Sequence, residues 1–324
     1  MSGPRPIVLD CDPGHDDALA ILLAHGSPAV ELLAITTVAG NQTLEKTTLN
    51  ARRVCTVAGI RDVPVAAGCA RPLRRPLTTA AQIHGASGLD GADFDEPTVP
   101  LSDRPAVELL VETVMDRPGE VTLVPTGPLT NIAMAVRREP GIVSRVREVV
   151  LMGGAFTRGN VTPAAEFNIA VDPEAAAVVF EAGWPLTMVG LDLTHQALAT
   201  PAVLERIEAV GTAPARTMGR LLRFFGDAYR REAGLASPPV HDPCAVARVI
   251  RPELVEVVDA FVAVETEGRW TSGMTVTDFR GTLGRPPNAQ VATRLDVAGF
   301  WDLIIEALAR VGAPPAGRGP VATA

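Results

Sequence analysis

The chain has 324 residues, 47% of them apolar, which suffices for one large α/β domain and excludes a disordered or fibrous protein. Acids outnumber bases 37 to 29, for a net charge of -8, and Lys46 is the only lysine. The arginines are scattered singly or in short pairs such as Arg52 and Arg53 or Arg74 and Arg75, so no basic stripe is available for nucleic acid and small-molecule chemistry leads.

No apolar run reaches the roughly 18 to 20 residues of a membrane helix. The start, MSGPRPIVLDCDPG, resembles neither a secretory nor a transit segment, so a cytoplasmic protein without membrane association is expected. Cys11, Cys55, Cys69 and Cys244 form no CxxC pair, which fits reduced thiols in ordinary packing.

In chain order, short β-rich runs alternate with segments of helical period: a strand at 7–9, a helix at 18–25, a strand at 30–38, a helix at 44–58 and a strand at 63–66. Further strands are expected at 121–124, 146–152, 186–191 and 261–265. Helices are expected at 106–115, 129–136, 174–182, 201–210 and 213–231. Asp103, two positions before Pro105, and Asp172 and Thr200, each directly before a proline, look like helix N-caps. Toward the C-terminus 255–265, 270–276 and 290–295 read as strands with few helices between them, and Gly268 suggests a hairpin. The expected fold is an open, mostly parallel, Rossmann-like α/β sheet flanked by helices, with some antiparallel strands near the C-terminus. One domain over 1–311 is expected, with a disordered tail at 312–324, and 71–100 reads as a long functional loop.

The sharpest feature is DCDPGHDDA, Asp10 to Ala18. A strand ends on Asp10 and Asp12, a Pro-Gly turn follows, and a helix opens on Asp16 and Asp17, where the dipole favours negative charge. Capping explains one of the latter pair. It does not explain acids at the end of a buried strand, which are costly unless paired or metal-bound. Four crowded carboxylates call for a hard cation, Ca²⁺ or Mg²⁺, rather than zinc. VAGN, VPTGPLTN, LMGG and LDLT place polar groups at other strand ends, where open α/β sheets bind ligands.

Together DCDPGHDDA, ITTVAGN, HGASG, VPTGPLTNIA, VVLMGG, AEFNIAVDPEAA, MVGLDLTH and VHDPCAVA resemble the nucleoside hydrolase family, in its order and from Ile7 to at least Phe300. The HD pair at His241 and Asp242 is most similar to the inosine-uridine preferring branch. The resemblance implies Ca²⁺-dependent cleavage of the N-glycosidic bond of purine and pyrimidine ribonucleosides to free base and ribose, in nucleoside salvage and catabolism. It puts the metal on Asp12, Asp17, Asp242 and the Thr126 carbonyl, with a water completing the set and Asp16 as the base on that water. Asp10 would hold the ligands without touching the metal. Ribose would be read by Asn41, Asn160, Glu166, Asn168 and Asp242 with the backbone near Met152, and Phe167 would pack on the sugar. His241 would assist the departing base, with Asn168 beside it at the reaction centre and with His84 and Tyr229 near the base. The family's habit implies a homo-oligomer, a dimer or tetramer.

Unaided, His241, Asp242 and Pro243 read as a helix start with Asp242 as cap, Met152 as core, His195 as structural and His25 as a helix end. Phe224 and Phe225 read as core. A ribose-binding protein without turnover is one rival. A phosphohydrolase of the DxD type is another, and it would need Lys46. A phosphate-binding nucleotide enzyme is excluded by acids at the first helix N-terminus and by the absence of GK[ST].

Overall fold

The computed structural model describes residues 3–312. The chain opens as β1 (Arg5–Cys11), α1 (His15–Gly26), β2 (Val30–Thr37), α2 (Leu44–Ala58) and β3 (Val65–Ala67). A long irregular segment carrying α3 (Ala81–His84) leads to α4 (Ala106–Asp116), β4 (Thr122–Pro125), α5 (Thr130–Arg138) and β5 (Glu148–Met152). After these come α6 (Phe167–Val171), α7 (Pro173–Glu181), β6 (Leu186–Val189), α8 (Leu191–Thr194), α9 (Pro201–Ala209), α10 (Ala213–Ala233) and α11 (Asp242–Ile250). The last elements are β7 (Val255–Val264), β8 (Thr275–Asp278), β9 (Ala289–Leu295) and α12 (Val297–Arg310).

The strands form one sheet in the order β3-β2-β1-β4-β5-β6-β9-β7-β8. From β3 to β9 neighbours run parallel, while β7 and β8 add antiparallel at one edge. Parallel strands are covered on both faces by their crossover helices, and the burial of β1 follows that logic. Ile7, Leu9 and Cys11 point into a core shared with α1, α2, α10, α11 and α12, and Val8 points into a second core shared with α4, α5 and α7. Each fully buried Ile or Leu contributes about 1.5 to 3 kcal/mol. Among the described residues no helix is long and apolar enough to cross a membrane.

Four local expectations need correction. The strand expected at 270–276 begins only at Thr275, because Gly273 at φ 85° belongs to the turn that closes the β7 to β8 hairpin, and Trp270 stands 77% exposed there. The C-terminal region also holds α12, whose Phe300, Trp301, Leu303, Ile304, Ala307 and Leu308 recur at helical spacing behind the Asp296 cap. Asp103 caps nothing: α4 starts after Pro105 without a side-chain cap. Asp242 is the first residue of α11 and His241 holds the cap position. The tail expected at 312–324 lies outside the described residues apart from Gly312.

Candidate active site

The chain leaves β1 toward β2 on one side and returns as β4 on the other, so a crevice opens at the carboxyl ends of β1 and β4. Asp10 sits at that end of β1. Its Oδ1 accepts hydrogen bonds from Thr36 Oγ1 at 2.6 Å and Asn131 Nδ2 at 2.7 Å. Burial raises its carboxyl to about 7. The turn at Pro13 and Gly14 then delivers α1, and Gly14 N–H donates to Asp17 Oδ2 at 3.0 Å. A side chain at Gly14 would overlap the His84 imidazole, so the turn has room only for glycine.

Asp16, Asp17 and Asp242 bring one oxygen each to within 4.8 Å of one another, all buried. Asp17 is held by Thr126 Oγ1 at 3.0 Å and by Asn41 Nδ2 at 3.2 Å. Asp12 stands outside that triple but beside it: its Oδ2 accepts from Asn41 N–H at 2.6 Å, while its buried Oδ1 has no partner among the described residues. Burial and then the charge of Asp17 push Asp16 up to about 7 and raise Asp12 well above its ordinary value. Burial, then Asp16, Asp17 and Asp12, do the same to Asp242. No lysine or arginine lines the adjoining cavity among the described residues. Crowded oxygen donors, one of them orphaned, and no cationic side chain fit a hard divalent cation.

The cavity measures about 280 Å³. Asp16, Asp242, Asn41 and Thr126 form its floor, and one wall comes from the segment between β5 and α7. There Glu166 caps α6, accepting from Asn168 N–H at 2.9 Å, Ile169 N–H at 3.2 Å and Gly154 N–H at 2.9 Å. Burial still lifts its carboxyl to about 7. Asn168 Nδ2 donates to the carbonyls of Thr126 at 2.9 Å and Met152 at 3.1 Å, tying the ends of β4 and β5 together. Met152, half-buried Phe167 and exposed Asn160 also line the space, and Asn160 Oδ1 accepts from Phe167 N–H at 2.9 Å. Asn41 and Asn168 are both committed to the protein through their amide N–H₂ groups, Asn41 to the Asp12 carbonyl and Asp17 and Asn168 to the Thr126 and Met152 carbonyls.

Opposite this wall stand His84, Phe225, Tyr229 and His241. His241 N–H donates to Asp16 Oδ2 at 3.0 Å, its Nδ1 lies 2.8 Å from Thr194 Oγ1, and its Nε2 lies 2.8 Å from Tyr229 Oη. Burial, then nearby His195, lowers His241 to about 3, so the ring is neutral. Three contributors escaped sequence reasoning: Phe225, Thr194 and His15. Phe225 and Tyr229 are one turn apart on α10, the spacing that would have exposed Phe225. His15 Nε2 donates to the Asp90 carbonyl at 2.8 Å, its Nδ1 lies 3.1 Å from His84 Nδ1, and its ring stacks on Phe224 and Phe225. It joins the 71–100 loop to α1. Lys46 donates to the Ala86 carbonyl at 2.6 Å and to Gln42, and lines no part of the cavity.

Buried carboxylates and amides around a cavity at a sheet switch point are suited to a small polar ligand. Comparison with known proteins narrows the class. The family model for inosine-uridine preferring nucleoside hydrolases matches residues 7–302. An inosine-uridine preferring nucleoside hydrolase of Leishmania major is 55% identical over 313 residues, 96% of this chain and 99% of the relative. A pyrimidine-specific ribonucleoside hydrolase of Escherichia coli is 47% identical over 304 residues, 94% and 98% of the two chains. A solved purine-preferring ribonucleoside hydrolase from Gardnerella vaginalis superposes with TM-score 0.89 at 33% identity, covering 95% of this chain and 99% of its own. The chain belongs to the inosine-uridine preferring nucleoside hydrolase family, enzymes that hydrolyse the N-glycosyl bond of ribonucleosides.

Proposed function

We propose that this enzyme is a Ca²⁺-dependent ribonucleoside hydrolase that accepts both purine and pyrimidine bases, built on residues 1–311 as one unit. The observation that carries the reading is the convergence of Asp16, Asp242 and His241 on a cavity also lined by Asn168 and Glu166, with Asp17 buried against Asp16 and Asp242. Asp12, Asp17, Asp242 and the Thr126 carbonyl would hold the cation, and Asp10 would brace the end of β1 beneath them. When bound, Ca²⁺ supplies modest Lewis-acid polarisation of oxygen.

The chain's own residues then divide the reaction. Asp16, fixed through one oxygen by His241 N–H, takes a proton from the attacking water, and a carboxyl near neutrality suits that task. The water oxygen bonds to C1′ as the bond to the base nitrogen breaks, and the electron pair leaves with the base. Ribose hydroxyls both donate and accept, so Asn160, Glu166, Asn168, Asp242 and the Met152 carbonyl hold the sugar while charge develops on the ring. Phe167 packs on the sugar. His84, Phe225 and Tyr229 face the base. His241 assists the departing base together with Tyr229, whose hydroxyl lies 2.8 Å from its Nε2.

Ribose release from inosine and uridine, measured before and after stripping divalent metal, tests the reading. Release that vanishes on stripping and returns with Ca²⁺ is expected for both nucleosides. Turnover untouched by exhaustive chelation overturns the metal assignment, and no release from either nucleoside overturns the substrate assignment.

A further inference from the structure

The cavity wall that carries Glu166 is irregular chain, residues 153–166, running from the end of β5 to the start of α6, and its backbone groups need partners from elsewhere. The β7 to β8 hairpin supplies them. β8 is the edge strand of the sheet, four places from β5, yet its first residue reaches back to this wall. Thr275 is buried, and its Oγ1 accepts from Ala155 N–H at 2.9 Å and donates to the Ala155 carbonyl at 2.7 Å. One hydroxyl thus satisfies both backbone groups of a residue beyond Met152, the last paired residue of β5. The neighbouring Gly154 N–H donates to Glu166 Oε2 at 2.9 Å, so the clamp on Ala155 lies one peptide from that carboxylate's anchor. Two further contacts come from the same hairpin. Phe279, directly after β8, meets Phe156 edge-on with ring centroids 5.1 Å apart. Gly273, in the turn, lies so near α6 that a side-chain carbon there would come within 2.9 Å of Ala170 Cα and 3.1 Å of Ala165 Cβ, on either side of Glu166 and Asn168.

We propose that Thr275 is a positioning residue for ribose recognition. Its hydroxyl fixes Ala155, Ala155 sets the direction of the Gly154 N–H, and that bond holds Glu166 where the sugar lies. The antiparallel hairpin is a splint on the ribose wall and takes no part in holding the base. A threonine that served the hairpin alone would lower stability without loosening the amides that Glu166 holds. The inference rests on the hydrolase reading for its substrate and adds to it a support outside the cavity.

Two measurements test it, the first independent of activity. Thr275→Val keeps the shape and removes the hydroxyl. In the full-length variant without substrate, the amides of Gly154, Asn168 and Ile169, all held by Glu166, are expected to exchange hydrogen about 10-fold faster or more. The amides of Val149, Val150 and Leu151 in β5 should be unchanged, and Thr275→Ser should return wild-type protection. Unchanged exchange at the three Glu166 partners, or equally faster exchange throughout β5, overturns the proposal. In kinetics, T275V is expected to lower kcat/KM by about 10-fold to 100-fold, and by the same factor for inosine, uridine and 4-nitrophenyl riboside, which share only the ribose. Added to Glu166→Ala, it should cost less than about threefold further. A loss on inosine that spares the nitrophenyl riboside, failure of serine to rescue, or additive losses with E166A each overturn it. Wild-type protein that turns over none of the three refutes the hydrolase reading, and the exchange result then still decides whether Thr275 holds Glu166 in place.

Discussion

Replacing Asp16 by Asn tests the cluster from two sides. In the metal-free protein burial and the neighbouring Asp17 charge raise Asp16 from 3.8 to about 7. At about 1.36 kcal/mol for each pH unit, an ionised Asp16 costs the folded state about 4 kcal/mol relative to the unfolded chain. An acid with a raised folded value holds its proton longer when folded, so this cost is absent below pH 3.8. It grows between pH 3.8 and about 7 and is complete above that. Asp16→Asn removes the charge and keeps the shape. Thermal unfolding in chelator is therefore expected to show a variant more stable than wild type by about 4 kcal/mol at pH 8, which is about 5 °C in Tm, with the difference closing toward pH 4. Added Ca²⁺ should shrink the difference, because the cation compensates the same repulsion. Turnover should move the other way, with kcat falling about 10² to 10⁴-fold at little change in KM, as expected for loss of a general base. A variant that is less stable at pH 8 in chelator refutes the electrostatic reasoning, and near-normal turnover removes Asp16 as the base.

The neighbouring residues are expected to separate in the same way. His241→Ala should lower inosine turnover about 10² to 10³-fold while leaving 4-nitrophenyl riboside nearly intact, and equal losses in parallel assays would argue against any part in leaving-base assistance. Gly127→Ala places a methyl carbon 2.7 Å from Asp12 Oδ1 and is expected to weaken Ca²⁺ binding about 10-fold or more by calorimetry. Unchanged affinity would show that Asp12 does not touch the ion. Phe225→Ala removes a fully buried ring that packs edge-on against Tyr229 with centroids 4.9 Å apart, so a stability loss of about 3 to 5 kcal/mol is expected together with a raised KM. Denaturant titration that finds the two proteins equally stable would contradict the packing account.

The part of this site that could be read from the sequence is the part whose physics is local. Asp10, Asp12, Asp16 and Asp17 stand within eight positions of one another. The costs of a carboxylate at the end of a buried strand, and the attraction of one at a helix start, can be judged without knowing what lies opposite. The mostly parallel sheet follows from the same kind of reasoning, since alternating βα units admit few topologies and place their loops at one end of the sheet, whereas the order of its strands was not read from the sequence. What escaped depends on partners that the spacing does not announce. Thr194 is an ordinary threonine until α8 sets it against a histidine 47 positions later. His15 lies inside the most conspicuous motif, and only the return of the 71–100 loop, with Asp90 and His84, gives it two partners. The same asymmetry explains α12, whose apolar period was visible at Phe300, Ile304 and Leu308 but was overshadowed by the strands before it.

Local and distant residues meet at His241. Its main-chain N–H donates to Asp16 Oδ2, and its two ring nitrogens lie 2.8 Å from the hydroxyls of Thr194 and Tyr229. The adjoining Asp242 belongs to the carboxylate triple. One turn of backbone at the start of α11 thus joins the carboxylate cluster to the aromatic side of the cavity. A shift of that turn would displace the donor to Asp16, the Asp242 carboxylate and the His241 ring together. The packing beneath it bears that out physically: Cys244, Ala245, Val246 and Ala247 are buried to within 0% exposure against α1, the helix that carries Asp16 and Asp17. Small side chains let the two helices approach closely, and this approach brings Asp242 within 4.8 Å of Asp16 and Asp17, more than 200 residues earlier in the chain.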